Sequence, residues 1–319
     1  MGIVLLRTFD QIRIAATLWT TSAAICGAAA LAQLFFGDVI PGTQIMWGRM
    51  TGFAGHPNEL GALAAIALVP AIDNAVRGGF GRIVDTMMWV VVAFIIIGVM
   101  LSSSITALLA TLGSVFVYTY LAKLSLKRII AYSFIILIAF YINSTQNEFE
   151  ARSIGERLTG ITQDEGRYMA SVNSRLITYS EALDYVMEHP LVGAGAGTGS
   201  ILESGYRVHN LWLATAYEAG ILGFLGLVIM LYSYGSLGVL AFRTTSHFSY
   251  GRFIAGILAS YTAFLIFSFS STVLYSRFAW VPVFFIMVIA NHNHRIRIQQ
   301  RTNFRAASAS RATIQRTSP

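Results

Sequence analysis

Long apolar segments recur along most of the chain, and this feature restricts the fold more than any other. A helix needs about 20 apolar residues to cross the roughly 30 Å hydrocarbon layer at about 1.5 Å per residue. Of the 319 residues, 55% are hydrophobic and only 12% are charged, unlike a soluble domain. The sequence therefore predicts an all-α polytopic membrane bundle with about eight transmembrane helices. The predicted spans are 14–36, 57–76, 83–101, 105–122, 129–142, 211–242, 253–270 and 278–290.

Basic residues between the apolar segments predict their orientation. The short connections 77–82, 123–128 and 243–252 carry Lys and Arg, and they alternate with connections that are poorly basic. Because positive charge on short loops is retained in the cytoplasm, both termini are predicted inside and the large segment 143–207 outside. The net charge of +7 is thereby assigned to topology and to contact with membrane lipids, and nucleic-acid binding is not expected.

The two ends of the chain differ in composition. Residues 1–294 are predicted to form the membrane domain, whereas 295–319 is basic, poor in apolar residues and predicted to be a disordered cytoplasmic tail. A cleaved signal peptide is the competing interpretation of the first apolar segment. Segment 211–242 is too long for one straight crossing, so a short surface helix is expected before a break near Gly220, with the span beginning at Ile221.

Polar side chains suited to chemistry gather in 174–210, the long polar stretch before the tail. Arg175 and Arg207 lie in this stretch. Arg49, near the predicted outer helix that begins at Pro57, carries a planar guanidinium group that matches phosphate oxygens. His209 precedes an apolar helix, whose N-terminal dipole disfavours a protonated ring. A structural role remains the alternative for each: Arg49 snorkelling to the interface, His56 capping a helix and His209 packing at the interface.

Other polar features carry less functional signal. The Gly-rich run 193–199 has no preceding strand and no following Gly-Lys-Ser/Thr, so a tight turn explains it as well as a phosphate-binding loop does. His292 and His294 are poorly spaced for one helix face, which makes a metal site there unlikely on sequence grounds. Glu218 is interpreted as a packing or capping residue because it lies about 180° around the helix from His209.

The order and spacing of these signals resemble a known family. Arg-x-x-Gly-x-x-x-x-Pro-Asn begins at Arg49, Ser-Arg ends at Arg175, Pro-Leu-x-Gly-x-Gly begins at Pro190, and His-Asn at His209 is followed by Glu-x-Gly at Glu218. From about residue 49 to about residue 225, the chain resembles the O-antigen ligase and O-antigen polymerase superfamily of membrane glycosyltransferases.

The resemblance implies a fold, a reaction and a set of site residues. It implies a C-type glycosyltransferase-like bundle in the cytoplasmic membrane that uses an undecaprenyl-diphosphate-linked glycan as donor on the outer face. The implied enzyme is metal-independent and inverting, needs no cofactor, and transfers to a glycan or lipid acceptor. Arg49 and Arg175 fall on the arginines proposed to hold the diphosphate, and His209 falls on the histidine proposed to act at the acceptor. Arg207 is added as a substrate-binding candidate, and a chain-length regulator protein as a candidate partner.

Two other classes of function remain open from the sequence. A transporter or flippase of an anionic glycolipid would use the same arginines during passage, although transport routes usually place ionisable residues at mid-depth and here they concentrate outside the spans. A membrane scaffold is the third alternative. The sequence also leaves open whether a transferase of this kind would act as a polymerase or as a ligase.

Overall fold

A computed structural model describes residues 6–46, 48–79, 81–124, 165–198, 207–245, 248–271 and 273–317. The described chain is predominantly helical, which confirms the predicted helical membrane bundle. Two short 3₁₀ helices, Val273–Tyr275 and Arg277–Trp280, precede the last α-helix. The α-helices are α1 Phe9–Phe36, α2 Pro57–Arg77, α3 Arg82–Leu101, α4 Ile105–Leu121, α5 Glu165–Glu188, α6 Leu211–Arg243, α7 Phe248–Ser268 and α8 Val281–Thr317.

Helix α2 lies at the centre of the bundle. Its residues from Leu60 to Ala75 are all buried, and it packs against α1, α3, α4 and α7. Alanine is the commonest residue in this stretch, and Gly61 faces Ser102 and Ala107, which lets the backbones approach closely. Small residues at helix contacts are typical of membrane bundles, where packing rather than hydrophobicity favours association. The central helix therefore holds the N-terminal half of the bundle together.

Five described helices are long and apolar enough to cross a membrane, and Ile105–Leu121 is a shorter apolar helix. These helices coincide with predicted spans, while the predicted span 129–142 lies outside the described residues. The five are Phe9–Phe36, Pro57–Arg77, Arg82–Leu101, Leu211–Arg243 and Tyr250–Ser268.

Helix α6 is broken where the sequence predicts a break. Gly220 has φ 65° and ψ −171°, which is non-helical, so a short first part is followed by a long second part. Positive φ favours glycine because a Cβ would collide with the backbone in this region. The chain can therefore leave one helix axis and resume another at this residue.

The helix ends beside two of the predicted cytoplasmic connections, 77–82 and 243–252, meet at one end of the bundle. Arg13 in α1 donates to the carbonyl of Gly78 after α2. Asp73 pairs with Arg77 and lies 3.7 Å from Arg252 at the start of α7. These contacts bring the basic ends of α1, α2 and α7 together.

Two features differ from the sequence-based expectation. Strands β1 Ile45–Met46 and β2 Arg49–Met50 form a small antiparallel hairpin that was not anticipated, with Gly48 at φ 69° in the turn. Helix α8 continues to Thr317, whereas the segment from residue 295 was expected to be disordered. This segment is rich in Ala, Arg and Gln, which favour helix, and extending an existing helix requires no new nucleation.

Candidate functional site

Arg49 forms a compact unit with the beginning of α2. It is 7% exposed, donates from Nε to the carbonyl of Ser102 at 2.8 Å, and donates from a terminal nitrogen to Asn58 Oδ1 at 2.6 Å. Gly52 has φ 54°, and an added Cβ would lie 2.3 Å from the carbonyl oxygen of Cys26. The Arg-x-x-Gly-x-x-x-x-Pro-Asn pattern is therefore a structural unit in which three helices hold the guanidinium in one place.

His56 caps α2, in agreement with the structural alternative given for it above. Its Nδ1 accepts a hydrogen bond from the backbone N–H of Asn58 at 3.0 Å, and Pro57 occupies the first helical turn. An Nδ1 that accepts carries no proton, so the neutral ring carries its proton on Nε2. The cap thus selects one tautomer.

His209 lies in an extended segment immediately before α6. The next residue, Asn210, caps α6 by accepting from the N–H groups of Trp212 at 2.9 Å and Leu213 at 3.0 Å. Asn210 also donates to the carbonyl of Phe269, just beyond α7, at 3.2 Å. The two residues therefore have separate roles: Asn210 anchors the beginning of α6, and His209 lies just before that helix.

Helix α5 places Arg175 next to this segment. Tyr179, one turn further along α5, donates to the backbone carbonyl of His209 at 2.9 Å. Ala182 of α5 is fully buried against Val208 and Ala214, which lie on either side of His209 in the chain. The packing of α5 on the beginning of α6 thus fixes the distance between Arg175 and His209.

Electrostatic effects link the predicted site residues across the sequence. Burial of the ring, followed by the positive charges of Arg175 and Arg207, lowers the pKa of His209 to about 4. Burial, followed by Arg49, His209 and Arg207, lowers the pKa of His56 to about 4. These interactions require proximity, so the structure brings Arg49, Arg175, Arg207 and His209 into one cluster, and it adds His56. Both imidazoles are neutral at pH 7.

Residues 190–195, at the beginning of the Gly-rich run, form a strap that is hydrogen-bonded to the backbone of α6. Ala194 N–H donates to Tyr217 O at 2.8 Å, Gly195 N–H donates to Glu218 O at 3.0 Å, and Ile221 N–H donates to Pro190 O at 2.9 Å. These bonds pair backbone groups around the break at Gly220. A Cβ added at Gly193 would lie 2.2 Å from the backbone of Glu218, so only glycine fits there. The geometry favours the turn interpretation over a phosphate-binding loop.

The sequence argument did not single out the residues of the 3₁₀ segment after α7. Ser276 Oγ donates to Glu59 Oε1 at 3.4 Å, and Glu59 also interacts electrostatically with Arg207. The adjacent Tyr275 donates to Glu218 and accepts from the N–H of Gly197 at 2.8 Å. Their position before the last apolar segment was the only sequence signal that could have indicated them.

Within the described ranges, no group of three or more His, Cys, Asp or Glu side chains is arranged to hold a metal ion.

The helices and the cluster of arginines and histidines at one helix end define an integral membrane protein with a polar site suited to anionic ligands. Residues 90–228 match the family model described as O-Antigen ligase. This match covers less than half of the chain, and it supports the resemblance to the O-antigen ligase/polymerase family that the motifs predict, and with it a membrane glycosyltransferase of that type. Arg175, Arg207 and His209 fall within the matched residues, whereas Arg49 precedes them. No curated protein matches the chain in a sequence comparison.

Proposed function

We propose that this protein transfers a glycan from an undecaprenyl-diphosphate-linked donor to a glycan or lipid acceptor at the outer face of the cytoplasmic membrane. The observation that carries the proposal is the gathering of Arg175 and Arg207 around the neutral imidazole of His209. Arg49 joins this cluster through His56, which interacts with both Arg49 and His209. The arginines provide positive charge for a diphosphate, and the imidazole provides a base. The match of residues 90–228 to the O-antigen ligase model supports lipid-linked glycans as the substrates.

The reaction follows from the charges on the departing group. The acceptor oxygen attacks the anomeric carbon as the bond from that carbon to the diphosphate oxygen breaks, and the diphosphate leaves with the electron pair. Attack opposite the leaving group inverts the anomeric configuration. Guanidinium groups stabilise the negative charge that develops on the leaving oxygens, so this step needs no metal ion. His209 takes the proton from the acceptor hydroxyl as the new bond forms.

The three arginines have unequal parts in this scheme. Arg49 is buried and donates to Ser102 and Asn58, so part of its guanidinium is committed to holding the helices in place. Arg207 is exposed, and Arg175 is half-buried on α5. Arg175 and Arg207 are therefore the arginines that reach the phosphates most readily, and Arg49 sets the position of the site while adding charge.

A transporter or flippase of an anionic glycolipid is the alternative function. One observation favours it: Asp73 is buried inside the bundle and interacts with Arg77, Arg252 and Tyr118. That group lies at the end of α2 opposite Arg49, and the ion pairs join α2 to the neighbouring helices. A structural role accounts for the group, so transfer at the arginine and histidine cluster remains the favoured function.

Replacing Arg175 with lysine tests the role proposed for the arginines. Lysine keeps the charge but loses the planar, two-pronged donor geometry. Loss of one charge-assisted hydrogen bond of about 1.5–3 kcal/mol should slow transfer roughly 10- to 100-fold. The measurement is complementation of a deletion strain with Arg175→Lys, followed by quantification of the lipid-linked and finished glycan.

The matched control is Arg82→Lys, an exposed arginine at the beginning of α3, which should complement fully. Wild-type turnover by Arg175→Lys would contradict bidentate phosphate binding. In the deletion strain itself, loss of chain length on the lipid carrier indicates a polymerase, whereas finished polymer accumulating on the carrier indicates a ligase. Loss of the surface glycan with unflipped precursor accumulating on the inner face would support the transporter instead.

A further inference from the structure

A cleft of about 530 Å³ lies beside the arginine and histidine cluster, between α6 and the 3₁₀ segment. Its volume is typical of sites that bind small organic groups. Gly226 is exposed, so the cleft opens toward the side of the bundle. The lining includes Thr215, Glu218, Gly226, Met230, Tyr275 and Trp280.

The polar groups of the cleft are concentrated at one end. Glu218 is 5% exposed and accepts a hydrogen bond from the hydroxyl of Tyr275, which itself accepts from the N–H of Gly197 at 2.8 Å. A carboxylate offers about four acceptor positions, so Glu218 can accept more than one hydrogen bond. The other walls, including Met230 and Trp280, are apolar. The cleft therefore suits an amphiphile whose polar end carries hydrogen-bond donors.

Neighbouring residues link the cleft to the proposed transfer site. Tyr275 faces the cleft, and the next residue, Ser276, donates to Glu59, which interacts electrostatically with Arg207. The strap 190–195 joins the same regions because Gly195 donates to the carbonyl of Glu218. A ligand held by Glu218 and Tyr275 is therefore separated from the basic cluster by the width of one short segment.

We propose that this cleft binds the acceptor, as a hydroxyl-bearing amphiphilic glycoside. Glu218 accepts hydrogen bonds from sugar hydroxyls, Tyr275 holds the carboxylate in position, and Met230 and Trp280 pack against the apolar part of the ligand. Calling this ligand the acceptor rests on the proposed function. Binding of a glycoside in the cleft can be tested independently of that function. A phospholipid with an ammonium headgroup offers the same donor chemistry to Glu218, so the experiment compares the two headgroups.

Photolabelling of the full-length protein in lipid vesicles separates these sources. One probe is a dodecyl maltoside with a diazirine in its alkyl chain, and the other is a phosphoethanolamine carrying the same chain. We expect the maltoside to label peptides from 211–230 and 273–280 and the phosphoethanolamine to show no preference for them. Equal labelling of these peptides by both probes would overturn the proposal, because the cleft would then be a general lipid groove.

Gly226→Phe fills the cleft without displacing its walls. A Cβ added at Gly226 meets no atom within 4 Å, so the ring can enter the open space. Labelling by the maltoside should fall at least about tenfold, equivalent to about 1.4 kcal/mol of binding free energy. Gly251→Phe on α7 is the matched control because its Cβ also meets nothing within 4 Å, and it should label like wild type. Undiminished labelling of Gly226→Phe would place the ligand elsewhere.

Glu218→Gln tests the polar end while keeping the side-chain shape. It should reduce maltoside labelling several-fold relative to wild type, since a neutral amide is a weaker acceptor than a carboxylate. Unchanged labelling would remove Glu218 from the site. These binding results do not depend on turnover: specific labelling without any transfer would contradict the proposed function alone. Transfer by Gly226→Phe with an unchanged KM for the acceptor would contradict the present inference alone.

Discussion

His209 owes its properties mainly to where its ring lies. The sequence argument expected the helix N-terminus and neighbouring arginines to keep the ring neutral, and the structure gives burial as the largest cause, followed by Arg175 and Arg207. Burial disfavours the charged form because an ion loses its hydration. A base whose pKa is about 4 is neutral at every physiological pH, so His209 is ready to accept a proton without prior deprotonation.

The pH dependence of transfer follows from that low pKa. The neutral ring is the active form, so activity should change little between about pH 8 and pH 6 from this group. As the pH falls through about 4, the ring gains a proton and activity should decline. A rate profile on protein in vesicles checks this, and recovery of activity after return to neutral pH is the control for acid damage. A decline centred near pH 6.5 would mean that the ring is solvated in the working enzyme.

Substitution of His209 separates catalysis from positioning. His209→Ala should lower turnover by about 10² to 10⁴-fold, the usual range for removing a general base, with donor binding largely retained because the arginines remain. His209→Gln keeps a hydrogen-bonding group that cannot take the proton, and it should be similarly slow. Near-normal turnover by His209→Gln would assign the residue to orienting the acceptor, and Glu181 on α5 would be the next candidate base.

At the scale of elements, the junction between the strap and the broken helix positions the cluster. Gly193 packs against the backbone of Glu218, while Gly220 permits the break that exposes the carbonyls of Tyr217 and Glu218 to the strap. Hydrogen bonds around the break compensate the backbone groups that a continuous helix would have paired internally. The first part of α6 can therefore carry Asn210 and His209 at a different angle from the spanning part.

Gly193→Ala tests this junction. The added methyl would lie 2.2 Å from the backbone of Glu218, so the strap must move. Overpacking of this kind destabilises by about 1–3 kcal/mol, and we expect a lower thermal unfolding temperature together with slower transfer. Gly251→Ala on α7 is the matched control because its Cβ also meets nothing within 4 Å and Ala favours helix. Equal unfolding temperatures for the two variants would show that the strap is not tightly docked.

At the scale of the whole molecule, the two ends of the bundle differ in chemistry. One end joins the basic ends of α1, α2 and α7 through Arg13, Asp73 and Arg252. The opposite end carries Arg49, His56 and His209 near the polar segment that includes α5. This separation agrees with a topology in which the first end faces the cytoplasm and the second faces outward, as the positive-inside rule predicts.

Reporter fusions test that orientation. Fusions at Gly79, Ser125 and Gln163 should read inside, inside and outside, because the first two follow basic connections and the third lies in the segment predicted outside. Each position is fused separately to a reporter that is active only in the cytoplasm and to one that is active only outside, so the two signals at one position control for each other. An inside signal at Gln163 would place the proposed site on the wrong face of the membrane for an outer-face transferase.

Local signals in the sequence determined much of this protein. Apolar length predicted the membrane helices, Pro57 marked the beginning of α2, and Gly220 marked the break in α6, because each effect acts within a few residues of chain. The order of the motifs also indicated the family that the match to residues 90–228 supports. The extended helix α8 was not foreseen, since helix propensity and lack of a core make opposite predictions for that segment.

Only the tertiary structure decided which of these residues meet. Arg49 and His56 are far from His209 in the chain, and their proximity to it depends on the packing of α2, α5 and α6. The same holds for Gly193 against the break in α6, and for Tyr275 with Glu218. Burial also set the low pKa of His209, which depends on how much water the surrounding helices remove. Such long-range contacts leave no periodic trace in the sequence, because they arise from the packing of whole helices.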